Sequence, residues 1–65
     1  MCESAVFVMS DGERTLVMQE AARMMVTEEG VWVFDTLGSS KLVRNAEISE
    51  ANLIRHEVVL KLREV

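Results

Sequence analysis

The sequence predicts an all-β protein, a small antiparallel barrel of roughly five to seven short strands. Three observations carry that expectation. Segments rich in Val, Ile, Phe and Trp recur along the chain, separated by Asp-Gly, Glu-Gly and Gly-Ser turn signals. The last segment alternates apolar and charged residues, the period of a half-buried strand. With 49% apolar residues in 65, the chain is too hydrophobic for disorder and too short for more than one domain, residues 1–65.

The elements follow in order. Met1 to Met9 reads as a strand around Val6-Phe7-Val8, and Ser10-Asp11-Gly12-Glu13 is a hairpin turn, Asp-Gly being its strongest part. Arg14–Met18 continues as a second strand. Gln19–Ala22 has helix-forming composition, and Val17, Ala21, Met24 and Glu28 share one side at helical spacing. The pattern is therefore read as one helical turn around Gln19–Ala22, followed by a strand from Arg23 to Thr27. Glu28-Glu29-Gly30 turns the chain into Val31–Leu37, its most β-prone segment. Val31, Val33 and Leu37 fall on one face of it, Trp32 and Phe34 on the other. One sheet layer cannot bury both faces, so one of them should meet the barrel interior or a second subunit. After Gly38-Ser39-Ser40, the segment Lys41–Ile48 places Leu42, Ala46 and Ile48 together, interrupted by Arg44. Ser49–Asn52 reads as a loop. Leu53–Arg63 reads as the last strand, with Ile54, His56, Val58, Leu60 and Leu62 inward.

Composition narrows the function. A net charge of −4 tells against a surface built to neutralise phosphates. No run approaches the ~18 apolar residues of a membrane span, and the first apolar run lacks the basic leader of a secretory signal. The single cysteine excludes an internal disulfide and fits a reducing compartment, so a cytoplasmic protein is expected. With no disulfide available, a domain this small is left with a partner subunit, a metal or a very economical core to be stable.

The single cysteine is residue 2, beside the amino terminus. With Met1 removed, the Cys2 amine and thiolate close a five-membered chelate ring. With Met1 retained, its amine, the Cys2 amide nitrogen and the thiolate form two fused rings. Such nitrogen and sulfur donors suit Ni(II) or Cu(II). One terminus supplies two or three donors, so a two-fold dimer could complete the site. The competing reading is a terminal cysteine without a role. His56 is read as a hydrogen-bonded core or interface group rather than a ligand, because no second ligand stands at metal spacing from it. Met9, Met18, Met24 and Met25 are read as core filler. Trp32 and Phe34 are read as a core or dimer contact rather than a base-stacking platform, basic residues not clustering around two of the three aromatics. Glu28, Glu29, Glu47 and Glu50 are read as solvated surface charges. No nucleophile–base pair stands out, and no enzyme is expected.

The opening Met1-Cys2 with its valine-rich strand, the Asp11-Gly12 turn, Gly30-Val31-Trp32-Val33-Phe34-Asp35, Leu37-Gly38, Asn45-Ala46-Glu47-Ile48 and His56-Glu57-Val58-Val59-Leu60 together resemble the CooT family of small nickel-binding proteins. The resemblance implies an SH3-like barrel, a homodimer, and Ni(II), one ion per dimer, held through Cys2 with Met1. It also implies a nickel-enzyme client such as a carbon monoxide dehydrogenase. A homodimer would bury the two-faced Val31–Leu37 strand and pair the termini. Family members have also been labelled RNA-binding on fold grounds. The alternative is therefore an RNA- or protein-interaction module with Cys2 incidental, whose RNA affinity would need Arg44, Arg55, Lys61 or Arg63 and would fall with salt.

Overall fold

The computed structural model describes residues 3–63. Six strands form one sheet: β1 (Ser4–Ser10), β2 (Glu13–Val26), β3 (Gly30–Asp35), β4 (Ser40–Arg44), β5 (Ala46–Asn52) and β6 (Glu57–Leu62). Their order is β4-β3-β2-β1-β6-β5. All-β architecture and strand number agree with the sequence expectation. The pairing is not wholly antiparallel, because β1 and β6 run parallel from Ala5–Glu57 to Met9–Lys61. The last strand comes back to the first only after the chain has traversed the rest of the sheet, so a tight hairpin between them is not required.

The β1–β2 hairpin is local in origin. Asp11 and Gly12 both take positive φ, 54° and 80°, as a two-residue turn matched to strand twist demands. The helical turn expected around Gln19–Ala22 is absent. These residues lie inside a continuous 14-residue strand. β2 pairs with β1 from Glu13 to Ala21 and with β3 from Ala21 to Val26, with register shifts on both sides of this junction. Irregularities of this kind bend a strand, and they absorb the break in alternation that mimics helical spacing.

Sheet closure is set by one residue. β4 and β5 are the two edges of the sheet, yet Asn45 alone joins them. An edge-to-edge link this short requires the sheet to roll up, and β3 and β5, far apart in strand order, pack against each other. No backbone ladder connects β4 to β5, so the roll is not a closed hydrogen-bonded barrel. Asn45 sits at φ 58°, its N–H donating to the Glu29 carbonyl at 2.9 Å and its carbonyl accepting from the Arg63 N–H.

The core is aliphatic: Val6, Ala21, Val31, Val33, Ala46, Val58 and Leu60, with Val8, Val17, Met18, Met24 and Val43 packed around it. Full burial of a side chain such as Leu60 contributes about 1.5–3 kcal/mol. Two parts of the expected inward faces are corrected. The segment Leu53–His56 is a turn rather than strand, which leaves Ile54 91% exposed and His56 exposed. Leu37 lies beyond β3 in the β3–β4 turn and is 90% exposed. Conversely, β5 runs through the expected Ser49–Asn52 loop, with a register shift between Ile48 and Glu50.

Candidate functional site

The start of β1 is flanked on both sides. Ser4 lies opposite Ala21 of β2, and Ala21 lies opposite Asp35 at the end of β3. On the other side Ala5 pairs with Glu57, and the Ala5 N–H donates to the His56 carbonyl at 2.9 Å. The chain therefore enters the sheet between the β3–β4 turn on the β2 side and the β5–β6 turn on the β6 side. Cys2 and Met1, the two expected metal ligands, lie outside the described residues.

His56 is not on the apolar face of a strand. It stands in the exposed β5–β6 turn at φ 55°, beside the start of β1. The irregular φ breaks the alternation that placed it inward, and no tertiary contact was readable from the sequence to override that pattern. Among the described residues no three His, Cys, Asp or Glu side chains converge as a metal site.

The two turns beside β1 have opposite characters. On the β6 side, Asn52 Oδ1 accepts from the Arg55 N–H at 3.0 Å and fixes a turn whose Leu53 and Ile54 are 78% and 91% exposed. On the β2 side lies an open depression of about 360 Å³, lined by Met18, Gln19, Glu20, Asp35, Thr36 and Leu37. The Asp35 carboxylate shapes its rim by accepting from the Leu37 and Ser39 N–H groups, each at 2.9 Å. Neither feature was legible in the sequence: the depression depends on where the long β2 bends, and the turn falls in a segment whose alternation reads as strand.

The aromatic residues are half-buried on the outside of the roll. Trp32 and Phe34 stack with centroids 6.2 Å apart, and Trp32 lies between Met25 and Leu42 in register. Contrary to the sequence reading, two aromatics carry arginines: Arg14 covers Phe7 at 4.0 Å and Arg23 covers Phe34 at 4.5 Å. Met18 and Met24 fill space against the core as expected, but Met25 is exposed. Glu29 pairs with Arg44 at 3.6 Å and Glu47 with Lys61 at 3.4 Å, both at the surface. Glu57 forms ion pairs with Arg14 and Arg55, each at 3.7 Å. Exposed pairs of this kind contribute about 0–1 kcal/mol each.

A family model described as "CO dehydrogenase accessory protein CooT" matches residues 1–61. Among solved structures, the chain is similar to a crystal structure of a protein assigned as CooT from Carboxydothermus hydrogenoformans. The two are 24% identical, with a TM-score of 0.85 over 97% of this chain and 100% of that one. At that identity the likeness is one of fold. No curated protein sequence matches the chain.

Proposed function

Because the chain belongs to the CooT family of CO dehydrogenase accessory proteins, we propose that it handles nickel for such an enzyme, binding Ni(II) through Cys2 with Met1. The observation that carries this reading is the family match itself, which begins at residue 1 and so includes both residues. The chemistry of the donor set supports it. Thiolate and amine or amide nitrogens at one chain end form small chelate rings around an ion that accepts mixed nitrogen and sulfur donors.

In this reading nickel is cargo rather than a resident cofactor. Donors on a chain end are reached by a client without unfolding the core, and the ion leaves by stepwise exchange of thiolate and nitrogen for the client's ligands. Two termini are needed for a full donor set, which makes the working unit a homodimer. The reading places the protein in the cytoplasm, where a free thiol persists. No helix among the described residues is long and apolar enough to cross a membrane.

The test is a nickel titration of wild type and Cys2→Ser, followed by calorimetry and absorption. The expected result is one Ni(II) per two chains, with thiolate-to-metal charge-transfer bands that vanish in Cys2→Ser. Equal and weak binding by the two proteins sinks the proposal.

A further inference from the structure

We propose that the second half of β2, Ala22–Val26, is an open sheet edge that takes up an extended segment of another protein, with a carboxylate of that segment against Arg23. The site goes beyond the nickel reading and does not rest on it.

The edge follows from register. β1 accompanies β2 only as far as Ala21, opposite Ser4, whereas β3 continues beside β2 to Val26. Among the described residues, Ala22–Val26 is therefore paired on one side only. The hairpin that follows fixes which backbone groups face the open side. Thr27 and Gly30 exchange both N–H···O bonds, at 2.8 and 3.2 Å. Hydrogen-bonded and non-hydrogen-bonded pairs alternate along an antiparallel ladder. Met25–Trp32 and Arg23–Phe34 are thus bonded pairs, and Val26–Val31 and Met24–Val33 are not. The N–H and C=O groups of Met24 and Val26 point away from β3, and none of the four has a hydrogen-bond partner among the described residues.

The other edges are blunted and this one is not. β4 has five residues and carries Lys41 and Arg44. β5 carries Glu47 and Glu50 and is broken by the register shift between Ile48 and Glu50. Shortness, charge and irregularity are common defences against strand addition. Ala22–Val26 holds one charge and no proline, and its pairing is regular from Arg23 onward. Backbone donors and acceptors repeating every second residue select an extended chain as the occupant.

Side chains narrow its chemistry. Arg23 and Met25 are exposed and share the outer face with Trp32, Phe34 and Leu42. The Arg23 guanidinium lies 4.5 Å over the Phe34 ring and donates to Met25 Sδ at 3.8 Å. It is thereby held beside the open backbone, and no described carboxylate pairs with it. A strand added here sets alternate side chains directly opposite Arg23 and Met25, where an acid and an apolar residue are favoured. A second copy presenting the same edge has no carboxylate to offer, because Ala22–Val26 contains none.

The test is amide hydrogen exchange by NMR on full-length, metal-free protein, alone and with a capped peptide of about nine residues. The peptide alternates Thr and Val, with Glu in place of the central Thr; a second carries Lys there. In the free protein the Met24 and Val26 amides should exchange fast and those of Arg23 and Met25 slowly. The Glu peptide should saturably protect Met24 and Val26. Val26→Pro, which removes only an outward N–H, should weaken binding about tenfold or more. Arg23→Glu should weaken the Glu peptide about fivefold and reverse the preference between the two peptides. Circular dichroism checks folding, and if Val26→Pro unfolds, the exposed Arg23→Glu decides. Slow exchange at Met24 and Val26 in the free protein overturns the proposal, since the edge is then already covered. So does the absence of saturable protection at millimolar peptide, or a peptide preference that ignores Arg23→Glu. Cys2→Ser keeps the edge and should bind peptide as wild type does, so failure of the nickel reading shows separately.

Discussion

Gly30 shows how much of this fold hangs on single backbone positions. It opens β3 at φ 148°, buried and paired with Arg44, and a Cβ there would overlap the Val43 carbonyl oxygen and crowd the Arg44 Cα. The obstacle is backbone of a paired strand, not the end of a mobile side chain, so it cannot yield cheaply. Gly30→Ala should destabilise the protein by about 3 kcal/mol, as backbone strain and overpacking add. Urea denaturation checks it, and a loss under about 1 kcal/mol would mean that β3 and β4 can separate locally. By contrast, Gly12 faces open space, and its role is the hairpin φ alone. A sequence reading sees both glycines as turn residues, which is right for Gly12. It misses that Gly30 is a packing requirement, because the carbonyl it must avoid lies on another strand. His56 was hidden for a related reason: only the folded turn reveals that its φ is positive.

At the scale of elements, short-range signals were legible and bends were not. The Asp11-Gly12 hairpin, the two-faced Val31–Asp35 strand and the inward Val58 and Leu60 all follow from turn chemistry and period-two alternation. β2 was misread because its bulges shift the apolar phase, and a shifted phase imitates a helical period. Lys41–Ile48 was read as one strand for the converse reason. Asn45 at φ 58° switches the inward set, so that Leu42 faces out beside Trp32 while Ala46 is buried. That corner joins the two sheet edges and makes a clear test. Asn tolerates the left-handed region, and a β-branched residue does not. Asn45→Val should cost about 1–2 kcal/mol and Asn45→Gly much less, as read by thermal unfolding. Equal losses would show that the Asn side chain, not the backbone angle, holds the corner.

The whole molecule bears on the RNA reading that the family's fold invites. Its seven Lys and Arg residues are spread over the roll, not gathered into a groove. Arg14 and Arg55 meet Glu57, Arg44 meets Glu29 and Lys61 meets Glu47. Arg23 lies on Phe34, Lys41 Nζ donates to the Val17 carbonyl at 2.9 Å, and Arg63 donates to the Glu28 carbonyl at 3.2 Å. The stacked Trp32 and Phe34 offer a surface for bases, but stacking platforms work beside a positive groove that tracks the backbone. Here the net charge is −4 and most cations sit beside a carboxylate. Neutralising phosphates with these side chains would first break existing pairs, and long-range attraction would be absent. Titration with a single-stranded oligonucleotide should therefore show no saturable binding at physiological salt, and Arg44→Ala or Lys61→Ala should change nothing. Micromolar binding with a steep inverse dependence on salt would reverse the ranking and make the Trp32 face, rather than the β1 end, the functional surface. The nickel reading makes the opposite demand. Metal binding should be indifferent to those cations and to salt, and lost with one thiol.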